Sequence, residues 1–184
     1  MTHTALLLID IQNDYFADGQ WPLSGIEAAS ARAAHLLAAC RKHGLPVVHV
    51  QHEFISDTAP FFLSGSTGAQ IHPSVTPLPG EPIILKHKAN SFQDTELKPL
   101  LDALNINKLI IAGAMSHLCI DAGVRAAADF GYAVHVAEDA CATCDQVFNG
   151  NTVPAAQVHA AFMAALAFAY AEVSSTEQIL AELG

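Results

Sequence analysis

Charge is scarce in this chain, and positive charge most of all. Only 14% of its 184 residues are charged, with 8 Lys and Arg against 18 Asp and Glu, for a formal net charge of -10. A surface of that sign repels nucleic acid and anionic lipid, so neither is an expected partner. The opening Met1-Thr2-His3-Thr4 carries no basic cluster, and Ala5–Ile9 run straight into Asp10 without the apolar length or small-residue cleavage site of a secretory leader. Residence in the cytoplasm is expected on that ground. Cysteine is sparse: four residues without secretory context read as reduced thiols, not as a disulfide framework. Cys141 and Cys144 have the spacing of a redox or zinc half-site, but no second pair completes it. Phosphate-cradling Gly-x-Gly-x-x-Gly and Gly-x-x-x-x-Gly-Lys sequences are missing, and Asp10-Ile11-Gln12 lacks the second aspartate of an Asp-x-Asp phosphatase motif. The one stretch resembling a membrane span, Val153 to Val173, contains Gln157, His159 and Glu172, so a buried or interface helix is expected there. There is no internal repeat and no low-complexity segment.

Apolar residues, by contrast, make up 52% of the chain, enough for one well-filled core over residues 1–184. Short apolar runs recur at Ala5 to Ile9, Pro46 to Val50, Pro82 to Leu85, Lys108 to Ala112 and Ala133 to Ala137, with a weaker one near Ala171 to Val173. Near-continuous runs of this length suit strands covered on both faces. Helical spacing fills the intervals Ile26 to His43, Thr95 to Leu104, Leu118 to Phe130 and Val153 to Tyr170, and Thr176 to Leu183 follows. The alternation predicts a three-layer α/β sandwich around a parallel sheet. Two connections, Glu53 to Glu81 and Ala140 to Thr152, exceed their neighbours in length and are expected to wall a substrate pocket.

In an open parallel sheet, ligands bind beyond the carboxyl ends of the strands. That rule brings a carboxylate, an amine and a thiol to one rim: Asp10 ends the first strand, Lys86 the third, and the fourth leads through Gly113-Ala114-Met115-Ser116-His117-Leu118 to Cys119. Cys119 falls at a helix start, where unpaired N–H groups and a neighbouring ammonium favour a thiolate, and Asp10 is placed to take and return a proton. The set is complete for acyl transfer, although a cysteine at a helix start is often just a small buried apolar residue.

Longer segments sharpen this reading. Asp10-Ile11-Gln12-Asn13-Asp14-Tyr15-Phe16, Lys86-His87-Lys88-Ala89-Asn90-Ser91-Phe92 with Thr95 and Leu97, and Gly113 to Cys119 resemble, in order, the opening motif, lysine segment and nucleophile turn of isochorismatase-like hydrolases. Arg125-Ala126-Ala127, Asp139 to Thr143 and Val153 to His159 extend the likeness over nearly the whole chain. The resemblance implies a six-stranded parallel sheet, a triad of Asp10, Lys86 and Cys119, and a cis peptide between Ala114 and Met115. It also implies an oxyanion hole from the backbone N–H groups of Met115 and Cys119. Family members commonly form dimers or larger oligomers, and a homodimer at least is expected here.

Other residues divide between structural and functional readings. Gln12 is expected to support the site, and Asp14 is as well explained as a turn carboxylate. Tyr15, Phe16, Phe61, Phe92 and His117 are candidate substrate contacts, with His117 equally credible as a packed imidazole. Cys40 is expected to be packing. His49 and His52 suggest a metal pair but should point to opposite faces of a strand, so both are read as structural. Where nicotinamidases of the same superfamily carry an Asp-x-His metal motif and a further histidine, this chain has His52-Glu53-Phe54 and Phe61, and neither metal nor cofactor is expected. The leading expectation is hydrolysis of a C–N bond in a small amide or carbamoyl compound through a Cys119 thioester. Vinyl ether hydrolysis using Asp10 without a covalent intermediate, or a catalytically idle oligomeric binding module, are the alternatives.

Overall fold

Strands and helices alternate along residues 3–183, the part of the chain that the computed structural model describes. In chain order the strands are β1 (Thr4–Ile9), β2 (Val47–His52), β3 (Ile83–Lys86), β4 (Lys108–Ala114), β5 (Ala133–Ala142), β6 (Gln146–Phe148), β7 (Asn151–Val153) and β8 (Glu172–Ser174). The helices are α1 (Ile26–Lys42), α2 (Leu97–Ala103), α3 (Asp121–Asp129), α4 (Ala155–Ala169) and α5 (Thr176–Leu183). Six strands form one parallel sheet in the order β3-β2-β1-β4-β5-β8.

The sheet is covered on both faces, which explains the uninterrupted apolar runs. Leu6 and Leu8 enter one core with residues of α1 and α5, while Ala5, Leu7 and Ile9 enter the other under α2, α3 and α4. Each fully buried Leu or Ile contributes about 1.5 to 3 kcal/mol. The result is the three-layer α/β/α sandwich that the pattern predicts. Among the described residues no helix is long and apolar enough to cross a membrane.

The structure departs from the sequence reading at the margins. Strand β3 lies at the sheet edge and is covered on one face only, with Ile83 and Leu85 about half exposed. Strand β5 runs on to Ala142, and the long connection from Ala140 to Thr152 folds in part into the β6–β7 hairpin. Its turn places Asn149 and Gly150 at φ of 51° and 77°, the positive values that a two-residue hairpin turn requires. Helix α4 starts after Pro154, its N-cap, two residues later than expected because Val153 belongs to the hairpin. The expected helix from Leu118 is entered through a π-turn, Ser116–Ile120, closed by the Ile120 N–H donating to the Met115 carbonyl at 3.2 Å.

The strand order decides where a site can form. From β1 the chain steps outward through β2 and β3, then returns to β4 on the opposite side of β1. Connections leaving β1 and β4 therefore diverge, and a crevice opens at their carboxyl ends. Gly113 keeps β1 and β4 close there: its φ is 134°, and a Cβ would lie 1.9 Å from the Ile9 carbonyl oxygen. No other residue fits.

Candidate active site

Asp10 follows β1 immediately, with φ of 54°, and its N–H donates to the Val50 carbonyl at 3.0 Å. Cys119 sits across the switch point in the π-turn after β4, and Lys86 ends β3. The Lys86 Nζ lies 2.7 Å from Asp10 Oδ2 and donates to Cys119 Sγ at 3.2 Å. All three residues are essentially inaccessible to solvent. The peptide bond Ala114–Met115 leading into the π-turn is cis.

A fourth side chain belongs to this cluster, and the sequence reading missed it. His52 Nδ1 is 3.1 Å from Lys86 Nζ and 3.9 Å from Asp10 Oδ2. The sheet order gives the reason: β2 lies between β3 and β1, so a lysine reaching from β3 to the end of β1 must pass the last residue of β2, which is His52. His49 points elsewhere, to Glu81 at 3.0 Å, so the expectation that the two histidines diverge is met while the structural reading of His52 is corrected.

Burial dominates the electrostatics. It raises the Asp10 carboxyl above its ordinary 3.8 despite the pull of Lys86. It also opposes the Lys86 ammonium, but the Asp10 carboxylate and the Cys119 sulfur outweigh it and raise the amine above 10.5. The His52 imidazole is pushed down to about 3 by burial and by Lys86, so it is neutral and accepts at Nδ1 from the ammonium. The Cys119 thiol is pushed up to about 12, first by burial and then by Asp10, with Lys86 offsetting only part. This corrects the expectation of a resting thiolate. The helix start and the ammonium are present as the sequence suggests, but the ammonium already faces a buried carboxylate, and a second buried anion is unfavourable. The thiol proton must therefore leave as the sulfur attacks. Asp10, a stronger base than a free carboxylate and with Oδ1 lacking a hydrogen-bond partner among the described residues, is the adjacent acceptor.

The chain is similar to known proteins over most of its length. The sequence model of the Isochorismatase domain matches residues 4–178. The isochorismatase family protein YddQ of Bacillus subtilis is 49% identical over 177 residues, 96% of this chain and 98% of YddQ. The solved structure of an isochorismatase hydrolase from Oleispira antarctica shares 61% identity and a TM-score of 0.95, covering 98% of this chain and 97% of that one. A maleamate amidohydrolase of Pseudomonas putida is 32% identical over 146 residues, 70% of this chain and 67% of that protein.

The chain belongs to the isochorismatase family. Its buried Asp10, His52 and Cys119, with the Lys86 ammonium among them, form a cluster consistent with a cysteine-hydrolase mechanism, and the surrounding residues show how that cluster is held. Gln12 is fully buried: its Nε2 donates to the carbonyls of His52 at 2.8 Å and Ala69 at 2.7 Å, and its Oε1 accepts from the His52 N–H at 2.8 Å. It thus fixes the backbone that aims His52. Asp14 is structural, its Oδ2 accepting from the Phe62 N–H at 2.6 Å and tying the Glu53 to Glu81 connection to the first turn. That connection brings Phe61 and Phe62 against Tyr15, at ring separations of 5.7 and 4.6 Å, and Phe54 against His52 at 4.6 Å.

The remaining candidates have partners of their own. Phe16 stacks on His72 with ring centroids 3.5 Å apart, and Phe92 packs on Phe130 and Tyr132. His117 Nδ1 is 2.6 Å from Thr143 Oγ1 and its ring meets Phe162, which favours the packed-imidazole reading. All four cysteines are free; Cys40 and Cys141 are buried with thiols pushed up to about 11 and about 12, and Cys144 Sγ lies 3.9 Å from Met115 Sδ.

Asp10, His52 and Cys119 present three donor atoms within 4.8 Å of one another, a spacing suited to a metal ion. The Lys86 ammonium stands against all three, at 2.7, 3.1 and 3.2 Å. A divalent cation would have to displace a buried, fully engaged lysine, so the residues do not fit a metal at this centre.

Proposed function

We propose that this chain hydrolyses a C–N bond in a small amide or carbamoyl-type substrate through a thioester on Cys119, without a metal. The observation that carries the reading is the buried contact of Lys86 Nζ with both Asp10 Oδ2 and Cys119 Sγ. The sulfur attacks the substrate carbonyl as its proton passes to Asp10. The backbone N–H groups of Met115 and Cys119 receive the oxyanion, where one such donor contributes about 2.7 to 4 kcal/mol. Asp10 then returns the proton to the departing amine, and a water, deprotonated by the same carboxylate, attacks the thioester and releases the acid. Lys86 stays an ammonium throughout, balancing whichever of Asp10 and Cys119 is anionic. His52, neutral, accepts one of its protons and keeps it directed.

The amidohydrolase name of the P. putida relative supports C–N chemistry, and the Cys119 position supports it over vinyl ether hydrolysis, which needs no nucleophile. A cytoplasmic setting suits an enzyme whose nucleophile must stay reduced. A homodimer is supported by α4, where Ala160, Ala161, Ala164, Ala165 and Phe168 are exposed while only Ala155, Val158, Met163 and Leu166 are buried. A helix that apolar needs a second covering surface.

The test is a screen of small amides and carbamoyl compounds, followed by mass spectrometry of enzyme quenched during turnover. An acyl adduct on the Cys119 peptide, and no turnover by a folded Cys119→Ala variant, are the expected results. Unchanged turnover in that variant would overturn the thioester and favour the vinyl ether reaction.

A further inference from the structure

A second cluster stands at the other end of the sheet. His135 is the third residue of β5 and pairs in register with Glu172, the first residue of β8. Glu182 reaches the same place from α5. His135 Nδ1 lies 3.7 Å from Glu172 Oε2 and 3.7 Å from Glu182 Oε2. The three donor atoms all fall within 4.8 Å of one another. Thr4 and Lys108, at the amino-terminal ends of β1 and β4, line an adjoining cavity of about 390 Å³ with His135 and Glu182. Asp10, Lys86 and Cys119 occupy the opposite, carboxyl-terminal rim.

The imidazole is the informative member. His135 is fully buried, and its Nε2 is satisfied by Ser174 Oγ at 2.6 Å, yet its Nδ1 has no hydrogen-bond partner among the described residues. A separation of 3.7 Å is beyond hydrogen-bond range. It is close to the spacing of two ligands on one ion: N and O donors each about 2.0 to 2.1 Å from a tetrahedral metal stand roughly 3.3 to 3.4 Å apart. With Nε2–H donating to Ser174, the Nδ1 lone pair converges with two carboxylate oxygens, an electron-rich focus that a cation stabilises. Burial lowers the His135 pKa, which keeps that lone pair available at neutral pH. The hydroxyl on the far nitrogen is the outer partner that orients a metal-binding imidazole. Glu172 and Glu182 are more than half and half exposed, so their carboxylates can close the remaining few tenths of an ångström by rotation.

We propose that His135, Glu172 and Glu182 bind a divalent transition-metal ion such as Zn²⁺, with water from the cavity as the fourth ligand. One imidazole with two carboxylates suits zinc, cobalt or manganese better than calcium or magnesium. The role is structural: the ion fastens the short edge strand β8 and helix α5 to β5. Lys108 Nζ, 3.7 Å from Glu182 Oε2, is the competing cation and must swing away on binding.

Equilibrium dialysis of chelator-stripped full-length protein against Zn²⁺ tests this, with Co²⁺ as the spectroscopic probe. One ion per chain is expected, with a cobalt spectrum free of thiolate charge transfer. Glu182→Gln, at a half-exposed position, should weaken binding by more than about tenfold, as should His135→Gln. Lys108→Met should tighten it. Zinc at about 100 times its Kd should raise the Tm by about 5 °C or more in the wild type. That shift should persist in Cys119→Ala and fall by half or more in Glu182→Gln. Stoichiometric binding that survives Glu182→Gln, binding that is lost in Cys119→Ala, or no binding at all would overturn the proposal.

Discussion

Replacing Asp10 with asparagine should make Cys119 more reactive towards alkylation while nearly stopping turnover. The two carboxylate and sulfur atoms lie within 4.8 Å of each other in a site closed to water. At that distance and an effective dielectric constant of about 20, the Asp10 charge disfavours a thiolate by about 3.5 kcal/mol, or about 2.5 pH units. Asparagine removes that charge at nearly constant shape and leaves the Lys86 ammonium facing the sulfur alone. A thiol at about 12 should then fall by that amount, to about 9.5. At pH 7.5 the thiolate fraction, and with it the rate of modification by iodoacetamide, should rise about 300-fold. Loss of the proton acceptor should lower kcat by about 10² to 10⁴ over the same change. Alkylation of the Cys119 peptide, followed by mass spectrometry from pH 7 to 10.5 with the Cys40 and Cys141 peptides as internal references, measures the shift. General unfolding would expose all the thiols together and is distinguished by those references. Equal or slower alkylation of Cys119 in Asp10→Asn would refute the reasoning, because it would mean that the carboxylate promotes the thiolate at rest.

Exhaustive dialysis of the Glu182→Gln variant against EDTA should leave hydrolysis intact, since Lys86 supplies the cation at the catalytic centre; loss with EDTA and recovery with zinc in that variant, whose second site is disabled, would contradict that reading. Glu81 accepts from Arg41 Nε and Nη2, both at 2.7 Å, and from the Leu78 N–H at 2.8 Å. The Arg41 hydrogen bonds hold its carboxyl at about 2 against an ordinary 4.5. Because that pKa is depressed on folding, its stabilisation is fully present above pH 4.5 and is lost as pH falls towards 2. Glu81→Gln should cost about 1.5 to 3 kcal/mol in urea unfolding at neutral pH and flatten stability over that acid range. Ala164→Arg or Ala165→Arg, both on the exposed face of α4, should shift the mass seen by light scattering from dimer to monomer; a wild-type chain that is already monomeric and fully active would remove the dimer.

The sequence by itself determined the fold class, because the apolar runs and helical intervals record which elements are covered on two faces and which on one. It also placed Asp10, Lys86 and Cys119 at one rim, since strand ends in a parallel sheet are countable and the surrounding motifs resemble a known family. It carried the Asn149-Gly150 hairpin signal too, although weighing length alone marks that connection only as a long one. Tertiary structure decided what depends on strand order and burial. Only the order β3-β2-β1-β4 puts His52 between Lys86 and Asp10. Only the depth of the site turns a cysteine with every sequence mark of a thiolate into a protonated thiol, because a local motif records its neighbours in the chain and not the water excluded around them. The same holds for His135, Glu172 and Glu182, three residues with no common motif that meet because β8 and α5 return to β5.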